Sequence, residues 1–152
     1  MAHIHEKIDF VIVVYIVFED KVLMVLHKKL KKWLPIGGHI ELDENPEEAL
    51  FREVKEECGL EIELLSQKPE QLDDITRPLY PPAFMDMHKT SDTHHHIGMI
   101  YFAKAKSSEV KHKEDEHDGI RWFTESELDD PQYDVLKNVK FFSGVSGSWR
   151  TS

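Results

Sequence analysis

The 152-residue chain carries 29 Asp and Glu against 19 Lys and Arg, a formal net charge of −10, with 40% hydrophobic and 32% charged residues. That length suits one hydrophobic core, and the composition is that of an ordinary globular protein. The acidic excess argues against a general nucleic-acid surface, which needs cations to neutralise phosphates, and the longest apolar run, residues 10–18, is about half a bilayer span.

DFVIVVYIVFED predicts a strand that is apolar on both faces and therefore interior to a sheet. Its Glu-Asp end with Lys21 predicts a turn, and VLMVLHKK a second strand, so the pair reads as a hairpin. The basic run HKKLKK at 27–32 reads as a hairpin tip in preference to a polynucleotide site. KKWLPIGGHI is a short segment broken by Pro35 and by Gly37 and Gly38. Two glycines permit positive φ or a close backbone approach, and they equally suit a plain turn.

A helix follows. Asn45 is a good N-cap, Pro46 suits the first helical position, Glu48 stands where a capping-box acid belongs, and Gly59 is a good stop. At about 100° per residue, Leu50, Phe51, Val54 and Cys58 share an apolar face. Glu53, Glu56 and Glu57, three and four apart, project together beside that face, with Arg52 at their flank.

LEIELL reads as a further strand, and a polar, proline-bearing stretch runs from Gln67 to about Pro82. PAFMDMHK predicts a strand, and THHHIGMIYFAKAK a strong interior one. SSEVKHKEDEHDG is a polar loop with several acids. IRWFTESELDD then predicts a short strand and a helical turn opened by Thr124 or Ser126. PQYDVLKNVKFF predicts a last helix starting at its proline, and SGVSGSWRTS a loose tail. The sum is one α/β or α+β domain, with helices covering a mixed sheet.

The glutamates carry the chemistry. Like charges at these spacings cost only a few tenths of a kcal/mol per pair, so a solvated acidic face explains them as well as a cation site does. Three features favour the cation. The acids adjoin the core face, they follow a Gly-Gly element, and a second acidic cluster (Glu114, Asp115, Glu116, Asp118) precedes a strand. Oxygen ligands without cysteines suit Mg²⁺ first and Mn²⁺ second, and such an ion would let an acidic pocket hold an anionic substrate.

Residues 38–60 also resemble the signature of the Nudix hydrolase (MutT-like) family: a glycine, five residues, Glu, seven residues, then Arg-Glu-apolar-x-Glu-Glu-x-Gly-apolar. Gly38, Glu44, Arg52, Glu53, Val54, Glu56, Glu57, Gly59 and Leu60 fill every defined position. The likeness extends over about residues 8–142 as one domain, leaving 143–152 as a C-terminal tail. It implies a Nudix-type α/β/α sandwich, a mixed sheet with flanking helices. It also implies a diphosphohydrolase in which water attacks a phosphorus of a nucleoside diphosphate derivative, a nucleoside triphosphate or a molecule of ADP-ribose type. Carried over by position, Glu53, Glu56 and Glu57 would hold Mg²⁺ or Mn²⁺, and Gly38 would offer its carbonyl. Arg52 would orient a glutamate, and Glu44 would be a supporting acid. Glu53 and the loop residue Glu116 are the alternatives for the general base, with Glu116 also a fourth ligand and Glu114 its rival.

In an extended strand His94 and His96 face one way and His95 the other, so a three-histidine zinc site would need unusual geometry. A packed or edge histidine is the preferred reading, and one facing the substrate cavity the next. Trp33, Tyr80, Phe84 and Trp122 could each stack a base, but each individually reads as packing. With Cys58 as the single cysteine and no secretory pattern in MAHIHEKIDF, the expected location is the cytoplasm. The expected partner is a small nucleotide, with no membrane and no polynucleotide; a homodimer is left open. Two alternatives stand beside the enzyme: a catalytically silent nucleotide-binding module, and an enzyme acting on a cap or polynucleotide end.

Overall fold

Strand β1 (Ile8–Phe18) lies inside an eight-stranded mixed sheet. The structure is a computed structural model that describes residues 7–112 and 117–147. A tight turn at Glu19 and Asp20, with Glu19 at φ 56°, returns the chain as β2 (Lys21–His27), which pairs antiparallel with β1 at Val17↔Val22. The basic run turns the chain again, through Lys31 at φ 55°, into β3 (Trp33–Leu34). It is a hairpin tip, as its position predicts. β4 (Ile36–His39) then pairs with β1 from Val11↔His39 to Val14↔Ile36.

Helix α1 (Pro46–Glu57) and β5 (Ile62–Leu64) follow, then β6 (Phe84–Ser91), β7 (His94–Ala105) and β8 (His117–Phe123). β7 runs parallel to β1 from Ile8↔His95 to Val17↔Lys104, and the middle of each strand is buried. Each shares its other edge between two partners. β1 meets β2 at one end and β4 nearer the other; β7 meets β5 at Ala103 to Ala105 and β6 further back. The fork in β1's edge presents β4 to α1.

Side chains alternate across a strand, so β1 feeds two cores. Ile12, Val14 and Ile16 pack with Leu50 and Val54 of α1. Tyr15 and Val17 pack with Ile100, Phe102, Leu128 of the short helix α2 (Glu125–Leu128) and Val139 of helix α3 (Lys137–Gly147). Each fully buried aliphatic side chain contributes roughly 1.5–3 kcal/mol relative to exposure. The result is the expected sheet flanked by helices on both faces. No helix among the described residues is long and apolar enough to cross a membrane.

The structure differs from expectation in three places. Phe51 is 43% exposed, and Ala49 takes the buried position on α1 instead; Phe51 lies at the edge of the apolar arc, beside Ile62 and Lys106 in a shallow depression away from the glutamates. The last helix does not start at its proline. Pro131–Tyr133 forms a short 3₁₀ turn, Asp134 at φ 46° interrupts the helical backbone, and α3 begins at Lys137. Finally, the expected loose tail is helical from 143 to 147. Ser143 and Ser146 are buried there, and Ser146 Oγ donates to the Ser143 carbonyl at 2.6 Å. That bond satisfies the Ser146 hydroxyl, whereas the buried Ser143 hydroxyl has no hydrogen-bond partner among the described residues.

Candidate active site

The start of α1 sets the phase of everything on it. Asn45 Oδ1 accepts from the Glu48 N–H at 2.9 Å, and Glu48 Oε1 accepts from the Asn45 N–H at 3.1 Å. This reciprocal cap, with Pro46 at the first position, fixes where the helix begins. Val54 O then accepts from both Cys58 and Gly59, and Gly59 at φ 68° leaves the helix. With both ends determined, Glu53 and Glu57 face β4.

Glu57 is 94% buried, its exposure only 6%. Its Oε2 accepts from the Gly37 N–H at 3.1 Å. A Cβ on Gly38 would collide with the Glu53 carboxylate, and one on Gly37 would stand 2.6 Å from the Ile12 carbonyl oxygen. Among the described glycines only Gly59 has positive φ. The Gly-Gly pair therefore serves close approach, on one side to the glutamates and on the other to β1.

Arg52 clamps the acids from outside. Its Nε donates to Glu44 Oε2 at 2.6 Å and its Nη2 to Glu44 Oε1 at 2.9 Å, a two-pronged pairing. Nη1 donates to Glu53 Oε1 at 2.9 Å and, more weakly, to Glu56 Oε2 at 3.4 Å, while Nη2 also reaches the His39 carbonyl at 3.1 Å. The hydrogen bonds that Arg52 donates to Glu44 raise the pKa of Arg52 and hold Glu44 below the usual carboxylate range. Glu53 goes the other way. Burial, and then the charge of Glu57, push its carboxyl up to about 7, against the pull of Arg52. Two carboxylates are thus held together at a cost that a cation between them would offset. Glu56 is the most exposed of the three.

His117 is a residue the sequence did not flag. It is 6% exposed, and its Nε2 lies 3.0 Å from Glu57 Oε1, but out of hydrogen-bond alignment. Neither ring nitrogen has a hydrogen-bond partner among the described residues. Its position at the start of β8, after a run of acids, carried no signal of its own. Glu114 and Glu116 lie outside the described residues.

The remaining expectations separate cleanly. Trp33 packs edge-on to Phe123 at 5.1 Å, Trp122 Nε1 donates to the Ser108 carbonyl at 3.0 Å, and Phe84 packs on Phe142 at 5.4 Å. Tyr80 donates its N–H to Glu47 Oε1 at 2.6 Å beneath the Lys68 ammonium. Trp33 and Phe84 thus pack on other rings, while Trp122 and Tyr80 are held by hydrogen bonds within the chain. His94 and His96 share the α3 face of the sheet with Asp9, His39 and His88. Burial and the neighbouring imidazoles lower the pKa of His96, with Asp9 opposing them.

The site thus sets a buried glutamate, Glu57, beside a second one, Glu53, that is backed onto a glycine and tied through Arg52 to Glu44. The sequence matches the model of the NUDIX domain over residues 9–143. The chain belongs to the Nudix hydrolase family and is a Nudix-type pyrophosphatase. It is similar to a Nudix-family hydrolase from Clostridium perfringens, with 33% identity over 93% of this chain and 97% of that one and a TM-score of 0.80. A MutT Nudix hydrolase from Burkholderia pseudomallei shares the fold at 22% identity and TM-score 0.67, over 91% and 98% of the two chains. So does a Nudix hydrolase from Nitrosomonas europaea, at 19% identity and TM-score 0.66, over 93% and 90%. No curated protein matches the sequence.

Proposed function

We propose that this chain hydrolyses the pyrophosphate link of a small nucleoside diphosphate derivative, a nucleoside triphosphate or a compound of ADP-ribose type, in the cytoplasm and with Mg²⁺ or Mn²⁺. The observation that carries the metal is the crowding of Glu53 and Glu57. A half-buried carboxyl, raised to about 7 by burial and by its buried neighbour, forms with that neighbour an all-oxygen donor pair that a cation between them would stabilise. Glu53, Glu56 and Glu57 would hold the ion, with the Gly38 carbonyl and Glu116 completing the set. When bound, it would lower the pKa of a water and offset charge on the phosphates.

The chain's own groups do the positioning. The Gly37 N–H holds Glu57 Oε2, leaving Oε1 turned toward His117. Arg52, anchored by two bonds on Glu44, fixes Glu53 Oε1 and keeps the carboxylate group from rotating away. A water attacks one phosphorus, the bond from that phosphorus to the bridging oxygen breaks, and the departing phosphate takes the electron pair. Glu53 and Glu116 are the two groups offered to take the water's proton.

A panel of nucleoside triphosphates, ADP-ribose, NADH and diadenosine polyphosphates, assayed with Mg²⁺ and with products identified, tests the reading. Glu57→Gln should lower turnover by about 10²-fold or more, since it removes a charge where the cation would sit, while circular dichroism shows an intact fold. Full turnover in that variant would overturn the assignment. Tight binding of an intact nucleotide without turnover of any compound would favour a silent binding module instead.

A further inference from the structure

The α3 face of the sheet carries a second cluster, on the opposite side of β4 from the glutamates. Strand register brings it together. Asp9 stands opposite His96 on the parallel neighbour, His88 stands opposite His96 on the other side, and His39 stands opposite Val11, two residues along from Asp9. Alternation then places His94 beside His96 on that face. Asp9 Oδ2 lies 2.9 Å from His94 Nε2 and 3.7 Å from His39 Nε2. Ligand atoms of Asp9, His94 and His96 all lie within 4.8 Å of one another. The His96 ring has His39, His88 and His94 edge-on to it at 4.9, 5.1 and 5.4 Å.

Such a gathering of imidazoles around one carboxylate has a chemical preference. Mg²⁺ takes oxygen ligands, whereas imidazole nitrogen with a single carboxylate suits Zn²⁺ and its late first-row neighbours. Tetrahedral bonds of about 2.0–2.1 Å place ligand atoms about 3.3 Å apart. The two distances from Asp9 Oδ2 fall on either side of that spacing, so closure on an ion asks only for side-chain rotations. The side chains of Asp9, His94 and His39 are 43%, 29% and 55% exposed, which gives an ion a direct path from solvent.

We propose that Asp9, His94 and His96, joined by His39, bind a borderline first-row dication, Zn²⁺ foremost, at a site separate from the carboxylates of α1. His88 stands behind His96 and is the nearest reserve ligand. The separation is set by the pleat: Gly38 backs onto Glu53, while His39, the next residue, projects its ring to the other face. The proposal does not depend on the reading of the glutamates.

Co²⁺ titration of the full chain in excess Mg²⁺, followed by visible absorption, reads the site directly, because nitrogen-bearing four-coordinate cobalt absorbs far more strongly than an all-oxygen octahedral ion. One Co²⁺ per chain should give a saturable band that Zn²⁺ removes. His96→Ala should abolish the band, and Asp9→Asn, which keeps shape and loses charge, should weaken binding by about tenfold or more. Glu57→Gln should leave it unchanged. A band absent from the parent protein would overturn the proposal. So would one that survives both Asp9→Asn and His96→Ala, or one lost in Glu57→Gln.

Discussion

Glutamine at position 53 should make the chelator-treated protein more stable at high pH and leave it unchanged at low pH. In the folded chain the Glu53 carboxyl titrates at about 7 instead of its ordinary 4.5, through burial first and the Glu57 charge second. A carboxyl whose pKa is raised by folding binds its proton more tightly in the native state. Its favourable contribution is therefore whole below pH 4.5 and is lost as pH rises through about 7. At about 1.36 kcal/mol per pKa unit the loss is about 3 kcal/mol. Solvent reaching the half-buried site reduces that to about 2. Glu53→Gln stays neutral at every pH and keeps a carbonyl oxygen for Arg52 Nη1. Urea unfolding in the presence of a chelator, followed by far-ultraviolet circular dichroism, should place the variant about 2 kcal/mol above the parent well above neutral pH, a rise of about 4–8 °C in Tm. The gap should close near pH 4.5. Taking the difference between the two proteins cancels the titration of groups that do not interact with Glu53. An equal gap at both pH values would refute the claim that charge crowding at Glu53 is stored in the fold.

The two neighbouring glycines should fail differently. Gly37→Ala sets a Cβ 2.6 Å from a main-chain oxygen of β1 and should cost about 1–3 kcal/mol of stability in urea. Gly38→Ala meets only the end of the Glu53 side chain, so the variant should melt close to the parent yet lose about tenfold or more in Mg²⁺-dependent turnover. Identical behaviour of the two variants would sink the contrast. Asn45→Ala removes one half of the α1 cap and should cost about 1 kcal/mol, read as a lower urea midpoint with an unchanged m-value.

Local signals in this chain are strong, and what they encode was legible. The cap at Asn45, the stop at Gly59 and the three- and four-residue spacing of Glu53, Glu56 and Glu57 all act within a few turns of one helix, so residues 38–60 announce their own geometry. The interior character of β1 and β7 was equally plain, because both are apolar on both faces. Where local pattern misled, a neighbour distant in sequence had intervened. Ser143 and Ser146 look solvent-bound until α3 lies against Tyr15 and Phe102. Pro131 suggests a helix start, but Asp134, ion-paired to the distant Lys32, adopts the left-handed conformation, and the helix begins only at Lys137.

The sequence by itself determined the family, the carboxylate helix and its partner Arg52, because a signature at fixed spacing needs only one helix and the loop before it. Pairing was decided by the tertiary structure alone. Taken along their own strand, His94 and His96 are two rings with a gap between them. The parallel register of β7 on β1 sets Asp9 opposite His96, and β4 and β6 bring His39 and His88 alongside. His117 reaches Glu57 in the same way, through the alignment of β8 on β2. Helix periodicity is a property of consecutive residues and can be read from them, whereas strand register is chosen by the whole sheet.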